Sequence, residues 1–476
     1  MQQARHQLWH DYRFRLRLML VRQRSYHYKK WTMLLVSLLV VVSVAATVIL
    51  LPRFVTSLTV HSNVQPAQAT MFGSDAQHTH TNTAEHLLTS RTVSHLTADW
   101  TSVPTGGSLF SSPVVAGEVV YSTSLDGRLY AYNAAGCEQQ SSCAPLWSSV
   151  PTGDRIYSSP AFANGVVYVS SSDHHLYAYK ADGCDRSSCT PLWSSTVIQG
   201  LAPSSPTVSD NIVFIGTSSG FLFAFNATGC GRSPCSPLWT STPMRASCGQ
   251  GNCLPLPLTV QTHSNFSSSP AVANGIVYIG SFDRRLYAFN ETGCGQATCP
   301  PLWNTTPTQN VITSSPAVAN GLIFVGSLDG QIYTFSASGC ASSPCAPLWA
   351  SVPTGGPIES SPAVADDVVY VGSWDHMLYA FDIAGCGYSL CQPLWASTPT
   401  QSILESSPTV AGGVIYVGSV DEHLYAFNAA GCHATPCTPL WTSPPVGGAI
   451  ESSPVVVNGV VYIGSLDHKL YAFHLP

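Results

Sequence analysis

Residues 268–303 read SSPAVANGIVYIGSFDRRLYAFNETGCGQATCPPLW, and this stretch sets the period of most of the chain. Its proline recurs at Pro113, Pro160, Pro206, Pro270, Pro316, Pro362, Pro408 and Pro454, at intervals of 47, 46, 64, 46, 46, 46 and 46 residues. The one long interval locates an insertion at about residues 243–263. Each complete unit holds four short apolar runs, here PAVA, IVYIGS, RLYAF and PPLWNTT. Between the first two stands Asn274-Gly275, a strong hairpin signal. The second run is almost continuously apolar, as suits a strand covered on both faces. A single four-stranded sheet of this kind cannot bury both faces. Radial stacking of such sheets can, and a repeat of 40–50 residues is the propeller signature. The expected fold is all-β: an eight-bladed β-propeller of four-stranded antiparallel blades.

The eighth unit ends at Pro476, after its third strand. A candidate for its fourth lies at the other end, where ADWTSVPTGG around Trp100 matches PLWASVPTGG around Trp349. The N-terminal segment is therefore expected to supply the outer strand of the last blade and close the ring. Tryptophan positions agree. Trp147, Trp193, Trp239, Trp303, Trp349, Trp395 and Trp441 serve seven blades, Trp100 the eighth, and only Trp9, Trp31 and Trp374 remain.

Charge is unevenly spread. Residues 1–30 hold eight Lys/Arg and one acid, so the other 446 residues carry 11 basic and 24 acidic side chains, a net of −13. That leaves no basic footprint for nucleic acid. Trp31 to Leu51 is a run of about 21 residues without a charge, spanning roughly 30 Å as a helix, the thickness of a bilayer core. Basic residues precede it, so the positive-inside rule places the N-terminus in the cytoplasm and the rest outside. A cleaved signal peptide is the rival reading. The long basic segment and the length of the apolar run count against it. The chain thus divides into a basic cytoplasmic segment (1–30), a single-pass anchor in the cytoplasmic membrane (31–51), a spacer and lead-in (52–97), and the propeller (98–476).

Sixteen cysteines fall in pairs, all beyond the apolar run. Cys137 and Cys143, Cys184 and Cys189, Cys230 and Cys235, Cys294 and Cys299, Cys340 and Cys345, Cys386 and Cys391, and Cys432 and Cys437 occupy one place in successive repeats. Cys248 and Cys253 lie in the insertion. An oxidising compartment would let all eight pairs persist as disulfides. Zinc is the competing reading, but a zinc site recruits four ligands, and no further His or Cys recurs near the pairs. No metal site is expected.

The pattern VYVGSxDxxLYAFxxxG…LW resembles the repeat of the quinoprotein-type propellers, named for pyrroloquinoline quinone (PQQ). The resemblance covers about residues 98–476, and Met71 to His80 (MFGSDAQHTH) resembles the short lead-in that precedes many such propellers. The C-x4-C loop departs from the plain repeat, which usually has a Thr-Gly-Lys turn there.

If the first strand of each blade is innermost, the segment before SSP and the turn between strands two and three share one face, the top. The Asn-Gly turns and cysteine loops then lie on the bottom. Asp126, Asp173, Asp283, Asp329, Asp375, Asp421 and Asp467 sit in the top turns of seven units, and Asp in a tight turn caps its own backbone. Glu359, Glu405 and Glu451 precede SSP in three consecutive units only, so the fold does not demand them. They are either a cation or ligand site at the channel mouth or a solvated rim. Trp374 is the one propeller tryptophan outside the blade series; an exposed aromatic on a top turn would mark an interaction site.

Three functions compete. The first is a non-catalytic binding or scaffold module outside the membrane, with a protein or peptide partner on the top face. It would be similar to the outer-membrane assembly lipoproteins that share this repeat, and needs no cofactor. The second is a quinoprotein dehydrogenase. The resemblance would then imply PQQ held against a tryptophan, calcium bound through Glu, Asn and Asp, and an Asp as base. The adjacent cysteines that often flank PQQ are missing, as are most of the long inter-blade insertions. The third is a ligand-sensing ectodomain, which would need a signalling partner, since about 30 cytoplasmic residues hold no kinase.

Overall fold

Eight apolar clusters, one for each seam between neighbouring blades, show how the repeats bury their faces. Tyr121 and Leu129 of the first blade pack on Val167 and Tyr179 of the second, and so around to Tyr462 and Leu470 of the eighth on Val120 and Tyr132 of the first. The structure is a computed structural model describing residues 68–137, 142–184, 187–201, 204–244, 268–432 and 436–476. The expected anchor at 31–51 and the basic segment before it lie outside the described residues. So do Cys248 and Cys253, the expected eighth disulfide. Among the described residues no helix is long and apolar enough to cross a membrane. Pro66–Pro476 form one compact unit.

Each repeat becomes one sheet with its first strand innermost. In blade 1 the strands are Val114–Ala116, Val119–Thr123, Leu129–Asn133 and Trp147–Ser149. Blade 8 is built from Val455–Val457, Val460–Gly464 and Leu470–His474, and its outer strand is Thr97–Ser102. The register pairs Thr97 with His474 and Trp100 with Ala472, with a bulge between Ala98 and Trp100. The ring closes through the N-terminal strand.

Five of the eight sheets hold five strands rather than the expected four. In four of them the extra strand is a cysteine loop, and it comes from the next blade. Ser188–Cys189 runs parallel to Ser148–Ser149 of blade 1, and Thr298–Cys299 to Thr240–Ser241 of blade 3. Ser142–Cys143 pairs in the same way with Thr101–Ser102 of blade 8. Three further loops make single bridges of this kind, Cys235 to Ser195, Cys345 to Thr305 and Cys437 to Ser397.

Seven disulfides hold these loops, and their pairing is the one expected from the repeat. Cys137 bonds Cys143, Cys184 bonds Cys189, Cys230 bonds Cys235 and Cys294 bonds Cys299. Cys340 bonds Cys345, Cys386 bonds Cys391 and Cys432 bonds Cys437. The loops lie where they do because of a β edge. Three residues after seven of the eight blade tryptophans a backbone N–H donates to the second cysteine's carbonyl. Val103 donates to Cys143, Val150 to Cys189, Thr242 to Cys299, Val352 to Cys391 and Thr398 to Cys437.

Blade 7 has no cysteine loop beside its outer strand, because blade 8 carries none. At the equivalent position stands Pro444, which has no N–H to leave unpaired. The proline blunts the one edge the loops do not cover.

The cysteine loops also explain a glycine. Gly136 sits at φ +76° with its absent Cβ 2.4 Å from Cδ1 of Trp100, so a side chain there would be strained and would strike the indole. Trp441 meets no such glycine among the described residues and packs edge-on against Phe473 at 5.6 Å.

Candidate functional site

The innermost strands surround a channel whose lining is set by the SSP motif. The second serine of each motif accepts a hydrogen bond from the backbone N–H of its counterpart in the preceding blade. Ser112 N–H donates to Ser159, Ser159 to Ser205, Ser205 to Ser269, and onward until Ser453 donates to Ser112, at 2.9–3.3 Å. Eight serines form a closed circle. A hydroxyl is small enough for eight to meet around one axis, and it can accept the backbone proton that a short inner strand leaves unpaired.

Below this circle the lead-in winds around the channel. Its carbonyls accept from one inner strand after another: Ala69 from Val115, Thr70 from Phe162, Ala76 from Val272, Gln77 from Val318, Thr79 from Val364 and His80 from Val410. Asn82 Nδ2 completes the circuit by donating to Val456 O at 2.8 Å. Phe72 turns its ring edge-on to His78 and His80, at 5.4 and 4.9 Å. Both histidines are fully buried, and burial lowers each to about 3. His78 Nε2 meets Thr207 Oγ1 at 3.1 Å, while His78 Nδ1 and His80 Nε2 have no well-formed hydrogen bond among the described residues.

Neutral, buried imidazoles make the lead-in acid-sensitive. A histidine whose folded pKa is depressed contributes its full share of stability above the unfolded value of about 6.5, and loses it as pH falls toward 3. Both histidines adopt positive φ, 54° and 51°, which asparagine tolerates. His80→Asn is therefore expected to narrow the stability gap between pH 7.5 and pH 4.5 by about 2–3 kcal/mol in denaturant titrations. A variant with the same gap as the parent would contradict this assignment.

Above the serine circle lies a small cavity of about 70 Å³ at the channel mouth. Phe72 closes it from below, and the residues preceding SSP form its rim: Phe110, Tyr157, Thr313, Glu359, Glu405 and Glu451. The three sequence-identified glutamates thus converge on one cavity. Burial, the neighbouring Glu405 carboxylate, a hydrogen bond with Glu405 and the more distant Glu359 push the Glu451 carboxyl up to about 8. Thr313, Phe110 and Tyr157 occupy the same repeat position and were identifiable by the period alone. Phe110 and Tyr157 lie 5.8 Å apart between ring centroids. One arc of the mouth is acidic and the adjoining arc aromatic.

The turn aspartates do structural work. Asp126 accepts from Arg128 N–H, Gly106 N–H and the Tyr130 hydroxyl, and the Asp–Tyr pair recurs six more times. Blade 3 has Ser219 in place of the aspartate and Phe223 in place of the tyrosine, so both partners are absent together. The bonds from Gly106 and its counterparts place the pre-SSP segments and these turns on one face. Trp374 is half-buried on that face, with its indole N–H buried and without a partner among the described residues.

A larger open groove of about 530 Å³ lies where the lead-in passes the inner-strand turns, the face assigned to the bottom, beside Asp75, Glu85, Asp366 and Asp367. Neither space suits PQQ. Cofactor sites occupy about 300–1,000 Å³, which excludes the mouth. The groove offers four carboxylates to a tricarboxylate and has no Trp, Tyr or Phe in its lining. Among the described residues no three His, Cys, Asp or Glu side chains are set to hold a metal ion.

The sequence model of the family described as outer membrane protein assembly factor BamB matches residues 88–232 and 236–475. No curated protein sequence matches the chain. Among solved structures, BamB from Moraxella catarrhalis is similar, with TM-score 0.58 and 16% identity over 80% of this chain and 99% of that one. The quinohemoprotein alcohol dehydrogenase from Comamonas testosteroni gives TM-score 0.62 and 14% identity, over 86% and 80%. The computationally designed Ika8 protein gives 0.60 and 13%, over 79% and 99%. At these identities the structural likenesses establish the propeller fold.

Proposed function

Because the chain belongs to the outer membrane protein assembly factor BamB family of PQQ-like propellers, we propose that it is a non-catalytic binding module whose top face receives a protein partner. In this reading residues 31–51 anchor it in the cytoplasmic membrane with the propeller outside, the setting in which its disulfides would persist. The observation that carries the reading is the size and closure of the mouth. At about 70 Å³, floored by Phe72, it has room for a side chain and not for a cofactor with its substrate. The dehydrogenase reading rests on the shared fold, and fold alone does not assign chemistry.

Two measurements on the full chain test this, the first in detergent and the second in intact envelopes. Mixed with PQQ and Ca²⁺, it is expected to bind no stoichiometric quinone and to reduce no dye with primary alcohols. A photo-crosslinker at Gln401, exposed beside the mouth, is expected to give protein adducts in intact envelopes. One at Asn274, in a bottom turn, is not. One quinone per chain with dye reduction would overturn the binding-module reading, and adducts confined to Asn274 would overturn the choice of face.

A further inference from the structure

We propose that the channel mouth is a receptor for a primary alkylammonium group, bound between the Glu405–Glu451 carboxylates, Thr313 and the Phe110–Tyr157 pair. The proposal rests on the preceding reading only for the source of the ammonium, which there is a lysine side chain of the partner.

Three features carry it. The first is the gathering of carboxylates. Glu359, Glu405 and Glu451 stand on neighbouring blades around one small cavity, and Glu451 keeps its proton well above the usual carboxylate range because it is buried and because the cavity's lining sets Glu405 and Glu359 beside it and no basic side chain. Arg155, two residues from Tyr157, is engaged outside the cavity: its Nη1 donates to the Tyr157 hydroxyl at 3.3 Å from a fully exposed position. His78 and His80, beneath Phe72, are neutral at physiological pH.

The second is an oxygen without a partner. Thr313 lines the cavity, is only 8% exposed, and its Oγ1 has no hydrogen-bond partner among the described residues. A buried hydroxyl left unpaired is costly, and a donor entering the mouth would relieve that cost. Thr313, Glu359, Glu405 and Glu451 fall at one repeat position, 46 residues apart, so four oxygen-bearing side chains form one arc.

The third is the aromatic arc beside Glu451. The bond from Ser453 to Ser112 joins blade 8 to blade 1, which brings Phe110 and then Tyr157 next to the acids. Aromatic faces attract a cation and cover its methylenes. The choice among cations follows from size and donor number. The cavity's volume is that of about two waters. An ammonium is compact and carries three donors, whereas a guanidinium is a wide planar fork. A divalent ion needs a set of ligands that these side chains do not form.

Binding must displace the shared proton, because the cation favours both carboxylates ionised. The test is calorimetric titration of the full chain in detergent with n-butylammonium and with the peptides acetyl-Gly-Lys-Gly-amide and acetyl-Gly-norleucine-Gly-amide. The ammonium itself stays charged up to about pH 10. Butylammonium and the lysine peptide are expected to bind once per chain, about 10- to 50-fold tighter at pH 8 than at pH 6, releasing about one proton at the lower pH. The norleucine peptide should not bind. Glu451→Gln should abolish the pH dependence and weaken binding at least tenfold. Thr313→Val, which keeps the shape, should weaken binding about three- to tenfold. Equal binding of the norleucine peptide, displacement of butylammonium by millimolar Ca²⁺, or unchanged affinity in both variants would overturn the proposal. Adducts at Gln401 without amine binding would leave the docking face standing and remove the ammonium site alone.

Discussion

Replacing Trp100 with alanine is expected to cost about 3–5 kcal/mol, while the same change at Trp441 costs about 1–2 kcal/mol. The two residues occupy equivalent places in the repeat, so sequence alone ranks them equally. Their surroundings differ. Trp100 is 3% exposed, covered by the loop carrying Gly136, and packs on Tyr132 and Tyr462 from two blades. Trp441 is half-buried on an edge that no cysteine loop crosses. Trp100 also lies on the strand that joins the propeller's first and last strands, so its loss opens the ring as well as a cavity. Urea midpoints of the two variants measure the difference. Equal losses would mean that the closing strand carries no more than an ordinary blade edge.

Reduction of the disulfides is expected to lower stability by on the order of 10 kcal/mol in total. Each described bridge closes a loop of five or six residues, worth about 2 kcal/mol in the chain-entropy model. Seven such loops act together, and each also holds a strand or bridge against its neighbour. The damage should therefore be local as well as global. With reductant, the amides of Val150, Thr242, Val352 and Thr398 lose the carbonyls of Cys189, Cys299, Cys391 and Cys437 and exchange faster. Blade 7 supplies the internal control, since no cysteine loop pairs with its outer strand Trp441–Thr442, whose exchange should not change with reductant. A reduced chain with an unchanged denaturation midpoint would show that the loops are ornaments on an already closed ring.

The period of 46 residues and the match around Trp100 made the ring legible in the amino-acid order, because each rests on repetition. The turn aspartates were legible for the same reason, and so was the pairing of cysteines such as Cys294 with Cys299. The lead-in was recognisable at Met71 to His80 by resemblance, but its course along the inner strands was not. Residues 69–82 occur once, and they bind through backbone carbonyls that spacing does not reveal. The cross-blade position of the cysteine loops was also hidden, since a C-x4-C spacing shows that two cysteines meet and not what their loop lies against. Pro444 stood in plain view, yet its meaning depends on knowing that Val150 and Thr398 donate from that position. At the mouth, glutamates drew attention by their charge. Thr313, Phe110 and Tyr157 share their position but became meaningful only when the ring brought blade 8 beside blade 1.

Closure of the ring by the N-terminal strand is tested most directly by hydrogen exchange of the full chain, resolved to peptides covering Thr97–Ser102 and Leu470–His474. Both segments should exchange as slowly as the equivalent strands of blade 1, Trp147–Ser149 and Leu129–Asn133, and Trp100→Ala should release both together. Fast exchange across Thr97–Ser102 while blade 1 stays protected would contradict closure at Trp100.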